Sequence, residues 1–186
     1  MTLTARGWAI ALLLAWPGQP LDDGVRAWVQ SHRAPWLDGP MHVASNQSRV
    51  VLLAGGALAL FAGTAGRAFV LETVLALAPV NVVVETLKWC VNRTRPDGSR
   101  DRKNSSFPSS HAANAFAVAV VITRRWRRAA IPAWLAAFTV SYSRLYLDRH
   151  WFSDVAFAAI VALGGGFLAA LAVKRLRKPT RAAAAA

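Results

Sequence analysis

Cysteine is almost missing from this chain. Cys90 is the only one in 186 residues, which excludes an intrachain disulfide and any cysteine-based metal cluster. It sits in an apolar stretch and reads as a small packing residue. Acidic side chains are scarce as well. Nine Asp and Glu face 22 Lys and Arg, for a formal net charge of +13. Many cations with few carboxylates disfavour a bound metal and favour an anionic partner. No internal repeat is evident, so a repeat architecture is excluded. A small-x-small cleavage pattern is also lacking at 17–20, just after the apolar run 7–16. That run is therefore expected to be an uncleaved first membrane helix and not a signal peptide.

Apolar residues are abundant, at 55% of the chain. A soluble basic protein of this size is rarely so apolar. After the first run, five more follow at 50–66, 68–91, 109–123, 129–142 and 151–173, separated by Arg, Pro and polar clusters. The longer ones approach the ~20 residues that a spanning helix requires. The expected fold is all-α, a polytopic membrane bundle of about six transmembrane helices. Residues 1–49 would form the first membrane helix and an interfacial segment, 50–175 the main bundle, and 176–186 a basic, Ala-rich cytoplasmic tail. Within 21–43, Leu21, Val25, Trp28 and Val29 share one helical face, with Asp22, Asp23 and Arg26 on others. This predicts a broken amphipathic helix along the membrane surface.

The positive-inside rule assigns sides. Arg6, Arg67, the arginines at 124–128 and the basic tail fall together and are expected in the cytoplasm with both termini. Segments 17–49, 92–108 and 143–150 fall on the extracytoplasmic side. Trp8, Trp16, Trp89, Trp126 and Trp151 lie near run ends, where an amphipathic ring favours the interface. Segment 92–108 is basic too, and its charges have a competing purpose, holding an anion.

The polar residues at the extracytoplasmic run ends form three spaced groups: Lys88-x6-Arg95-Pro96, Pro108-Ser109-Ser110-His111, and Ser143-Arg144-x5-His150-x3-Asp154. Arg95 and Arg144 present paired donors suited to phosphoryl oxygens, and Lys88 adds a compact charge. Ser109 and Ser110 offer hydroxyls and open a helix whose first N–H groups are free for an anion. His150 and Asp154 are one helical turn apart, so the carboxylate can orient the ring. That nominates His150 as a nucleophile forming a phosphohistidine, with His111 as acid and then base. No cofactor or metal is expected. Reading His111 and His150 as metal ligands is opposed by the neighbouring cations. Glu85 either supports Lys88 or sits in wet headgroup space. Glu72 either pairs with Arg67 or reaches the interface. His32 and His42 find no matching partners and receive no role.

These groups resemble the three-part signature of the type 2 phosphatidic acid phosphatase family, the lipid phosphate phosphatases. Every position matches except Ser110, where the family usually has Gly, and the resemblance covers roughly residues 50–175. It implies a metal-free six-helix bundle with an extracytoplasmic site, nucleophile His150 and acid/base His111. Soluble vanadium haloperoxidases and secreted acid phosphatases share the superfamily, but the length and apolar runs of this chain argue against both. The expected substrate is a phosphorylated lipid, such as phosphatidic acid, phosphatidylglycerol phosphate or a polyprenyl diphosphate (undecaprenyl diphosphate among them). A bilayer is the expected partner and nucleic acid is not. A non-catalytic lipid-phosphate binder or transporter, or a lipid phosphotransferase, are the alternatives. The chain carries no signal for oligomeric state.

Overall fold

The structure, a computed structural model, describes residues 18–101 and 104–176. The predicted first membrane helix at 7–16 and the tail from 177 onward lie outside the described residues. Six α-helices are described: α1 (Gln19–Ser31), α2 (Pro35–Phe61), α3 (Gly63–Val91), α4 (Ser110–Arg125), α5 (Ala130–Tyr146) and α6 (Phe152–Leu176). The fold is all-helical among these residues, as the apolar runs predict.

The six helices are not the six expected spans. Runs three to six correspond to α3–α6, while α1 is part of the amphipathic segment. Two helices, Gly63–Val91 and the stretch Phe152–Arg175 of α6, are long and apolar enough to cross a membrane by length and composition. At 16 and 17 residues, α4 and α5 lie at the short end of the range for a crossing helix, about 17–25.

The interfacial segment is a broken helix, as expected, and its second part runs on beyond it. Its break lies between Ser31 and Pro35, after which α2 runs unbroken to Phe61, through the boundary expected at 49/50. Pro35 occupies the first turn, where its missing N–H costs nothing. The apolar face of α1 is split, and Val25 and Val29 pack with Met41 and Tyr146. Asp22 and Val29 are buried, whereas Leu21 and Trp28 point outward.

α4 is the hub, packed by α3, α5 and α6, with α2 leaning on α3 and α5. The core is made of small residues: Ala112, Ala113, Ala117, Ala119, Ala158 and Ala162 are buried beside Val80, Val84 and Phe116. In α6, a Cβ on Gly165 would come within 2.3 Å of Val80, and one on Gly166 within 2.4 Å of Val120. Such small side chains let helix backbones approach closely, which drives helix association in lipid. Asn81 Nδ2 donates to Asn114 Oδ1 at 2.9 Å and ties α3 to α4.

Burial is inverted relative to a soluble protein. Val51, Leu53, Leu58, Phe61, Ile131, Leu135, Ile160 and Phe167 face outward, while Lys88, Arg95, Arg144 and Asp154 are buried. Large outward apolar surfaces need an apolar surrounding. The polar interior is concentrated at one end of the bundle. At the other end Arg125 pairs with Glu72 at 3.1 Å, and Phe69 meets Trp126 at 5.1 Å between ring centroids. Glu72 therefore has Arg125 as an ion-pair partner.

Candidate active site

The polar end is assembled from helix termini. α3 delivers Lys88 in its last turn and stops at Asn92, whose left-handed backbone (φ 44°) redirects the chain. Ser105 and Ser106 then come back to Arg93. Ser106 N–H donates to Arg93 O at 2.9 Å, and Arg93 N–H to Ser105 Oγ at 2.8 Å. Ser109 caps α4, accepting from Ala112 N–H, and donates its own N–H to Asp154 O. This fixes the mouth of α4 against the start of α6. The first N–H groups of α4, at Ser110 and His111, have no intrahelical acceptor.

A cavity of about 560 Å³ opens here, and Lys88, Arg95, Ser110, His111, Arg144 and His150 all line it. The structure thus brings six of the eight predicted site residues to one cavity. Asp154 and Ser109 stand behind the wall as supports. Arg95 is braced by Asn104, through Oδ1 at 2.7 Å and the carbonyl at 3.2 Å, and by Arg149 O at 3.1 Å. Arg144 Nη1 donates to Ser45 Oγ of α2, while its buried Nε has no hydrogen-bond partner. Glu85 takes the support role: its carboxylate lies 3.4 Å from Lys88 Nζ and 3.4 Å from Ser110 Oγ.

The environment of His150 differs from the sequence expectation. Its Nδ1 lies 2.7 Å from Ser106 O and 3.7 Å from Asp154 Oδ2. The shorter distance is a hydrogen bond and the longer one is not. A carbonyl only accepts, so Nδ1 carries the proton and Nε2 keeps its lone pair. Burial pushes the imidazole down to about 4. Asp154 raises it, and Arg144 and Arg95 lower it further. His150 is therefore a neutral base or nucleophile at ordinary pH.

Asp154 is held in turn by residues that the motif reading missed. It accepts from Ser106 Oγ at 2.5 Å, Trp151 N–H at 2.8 Å and Arg93 Nη1 at 2.7 Å. Nη2 of the same arginine reaches Asp22 of α1 at 2.7 Å. Asp22 also accepts from Ser153 N–H and Oγ, at 2.8 and 2.6 Å. Further along α1, Arg26 grips Asp148 through two 2.9 Å bonds, just before the turn to His150. A signal for α1 was present in the 22/26/30 spacing of Asp22, Arg26 and Gln30, one helical stripe. Ser106 left no comparable trace, because it acts on His150 through its backbone carbonyl. His42, given no role from the sequence, lines the cavity together with Ser45, Asn46 and Arg49.

Comparison with known proteins places this architecture. The family model for the PAP2 superfamily matches residues 69–178, more than half of the chain, and the chain belongs to that superfamily. Over 94 residues it is 38% identical to a protein of Bacteroides thetaiotaomicron named lipid A 4'-phosphatase, covering 48% of this chain and 38% of that one. It is 33% identical over 93 residues to a lipid A 1-phosphatase of Porphyromonas gingivalis, covering 48% and 20%. The chain thus spans well under half the length of these relatives. Among solved structures, Aquifex aeolicus LpxE superposes with a TM-score of 0.71 at 25% identity, over 80% of this chain and 94% of that one. A transmembrane PAP2-type phosphatidylglycerolphosphate phosphatase of Bacillus subtilis shares the fold, with a TM-score of 0.67 at 22% identity over 93% and 96%.

Proposed function

We propose that this chain is an integral membrane lipid phosphatase that removes a phosphoryl group from a lipid through a phosphohistidine at His150, without a metal. The observation that carries this reading is the paired geometry of His150. Nδ1 is pinned by Ser106 O at 2.7 Å, and the ring lines a cavity shared with Lys88, Arg95, Arg144 and His111. Membership of the PAP2 superfamily and the phosphatase names of its relatives support it.

In this mechanism the scissile phosphoryl group sits among Lys88, Arg95, Arg144 and the first N–H groups of α4. Their charge stabilises the oxygens as the transition state develops. Arg144 Nε, buried without a partner, is a donor that a phosphoryl oxygen would satisfy. Nε2 of His150 attacks phosphorus, and the P–O bond to the lipid breaks. His111 gives its proton to the departing oxygen. The imidazolium formed at His150 is stabilised by the nearby Asp154 carboxylate. His111, now a base, takes a proton from water, which attacks the phosphohistidine and releases phosphate and neutral His150.

The chain would lie in the cytoplasmic membrane as a multi-pass protein with the cavity on the extracytoplasmic face and both termini cytoplasmic. The outward apolar side chains support the membrane setting. The meeting of Arg49, Lys88, Arg95, Arg144 and His150 at the cavity, at the end of the bundle away from Arg124 and Arg125, supports the orientation.

The test is phosphate release from detergent-dispersed phosphatidic acid, phosphatidylglycerol phosphate and prenyl diphosphate in excess EDTA. Release that His150→Asn abolishes is expected. A strict requirement for added divalent metal, or full activity of His150→Asn, would remove the mechanism. Lipid binding with no release by the wild-type chain would favour a carrier instead.

A further inference from the structure

The three motif groups account for part of the cavity lining. α2 adds His42, Ser45, Asn46 and Arg49 to its lining. Their spacing places all four on one helical face. Ser45 is committed to Arg144. Arg49 differs from the motif cations in two respects. It is exposed where Lys88, Arg95 and Arg144 are buried, and among the described residues it has no hydrogen bond or ion pair. Arg149, the other cation added to the cavity, is engaged by Asp97 at 3.1 Å.

Size and direction add to this. The cavity holds about 560 Å³, where one water occupies ~30 Å³, so a single phosphoryl group fills a minor part of it. Immediately after Arg49, α2 turns apolar, and Val50, Val51, Leu53 and Leu58 face outward. A lipid following this helix would meet the apolar run with its tail, then Arg49, and then the buried motif cations.

We infer that α2 carries a second anion subsite, built by Arg49 with His42 and Asn46, for a second phosphoryl group located between the scissile one and the lipid tail. This rests on the phosphatase reading for the identity of the scissile group. A diphosphate ester has that arrangement: the terminal group reaches His150, and the inner group meets the guanidinium of Arg49. Arg49 touches no reacting atom and acts as a specificity residue.

The experiment uses the full chain in detergent. Turnover of a prenyl monophosphate and the prenyl diphosphate of the same length is compared for wild type, Arg49→Gln and Arg49→Lys. Arg49→Gln should lower the ratio of kcat/KM, diphosphate over monophosphate, about tenfold, as expected for losing one charge-assisted contact at an exposed site, and Arg49→Lys should restore part of it. An unchanged ratio overturns the subsite. A glycolipid whose second phosphate lies beyond the scissile one should show no dependence on Arg49. Dependence there, and none with the diphosphate, would overturn the placement. Calorimetric binding of methylenebisphosphonate against methylphosphonate separates this inference from the enzymatic one. If no lipid is hydrolysed but Arg49→Gln still abolishes a preference for the bisphosphonate, the subsite stands and the phosphatase reading fails. Equal affinity of wild type and Arg49→Gln for the bisphosphonate overturns the subsite.

Discussion

Arg93 holds the Asp154 carboxylate at 2.7 Å with one guanidinium nitrogen, and with the other it holds Asp22 at the same distance. Both carboxylates are almost fully buried. Helix α1 is therefore locked, through a single cation, to the residue next to His150. Losing Asp22 leaves Arg93 paired with Asp154 but removes one charge-assisted contact, at a cost of about 1.5–3 kcal/mol. Asp22→Asn should lower the thermal unfolding temperature and reduce kcat roughly tenfold with little change in KM, because Asp154 would shift without loss of the cavity cations. Arg93→Lys should have a similar effect, since an ammonium cannot span both acids in the same way. Wild-type kcat in Asp22→Asn would show that α1 has no part in positioning Asp154.

The acceptor for His150 Nδ1–H is the Ser106 carbonyl, not Asp154. In a triad where the carboxylate alone sets the tautomer, replacing Asp by Asn drops kcat ~10⁴-fold. Here the carbonyl remains after Asp154→Asn, so the ring keeps its tautomer. The expected loss is nearer 10²-fold, from weaker stabilisation of the imidazolium. Steady-state kinetics measure the loss, and nitrogen NMR of labelled histidine reads the tautomer. A 10⁴-fold loss accompanied by a proton on Nε2 would contradict the assignment.

Protonation of His150 should come late on acidification. Its imidazole is pushed down to about 4 by burial, so it is neutral at pH 6, where an ordinary histidine is largely charged. The unfolded chain takes up that proton near pH 6.5, whereas the folded chain does not until about 4. Lowering the pH through this window therefore favours unfolding. Histidine NMR at pH 6 should show a neutral, Nδ1-protonated ring that vanishes in His150→Asn. An imidazolium signature at that pH would refute the buried neutral state.

Packing at α6 makes a further contrast. A Cβ at Gly165 would lie 2.3 Å from Val80 and 3.2 Å from the Ala76 carbonyl, whereas one at Gly164 meets nothing within 4 Å. Gly165→Val should destabilise the bundle by about 1–3 kcal/mol, and Gly164→Ala should not. Thermal unfolding in detergent distinguishes them, and equal shifts would mean that α3 and α6 are not in close contact.

Much of this was legible along the chain. The apolar runs between 68 and 173 became α3–α6, because helical length and hydropathy are local properties. Lys88, Arg95, Ser110, His111, Arg144 and His150 share a cavity because each lies at a run end, and antiparallel helices bring alternate ends together. The burial of Asp22 in α1 was not legible. Polarity alone suggests that Asp22 should face water, and it is the guanidinium of Arg93, with the N–H and hydroxyl of Ser153, that makes its burial favourable. The unbroken course of α2 through residue 50 was also invisible, since its polar first half and apolar second half have opposite compositions.

The three motif groups, their order and their common end of the bundle follow from spacing and hydropathy, which act within a helical turn or a single run. Tertiary structure alone settled which atom orients His150, what holds Asp154, and which face of α2 completes the cavity. Backbone carbonyls are the same in every residue, and buried ion pairs join positions far apart in the chain, so neither writes a periodic pattern into the order of amino acids.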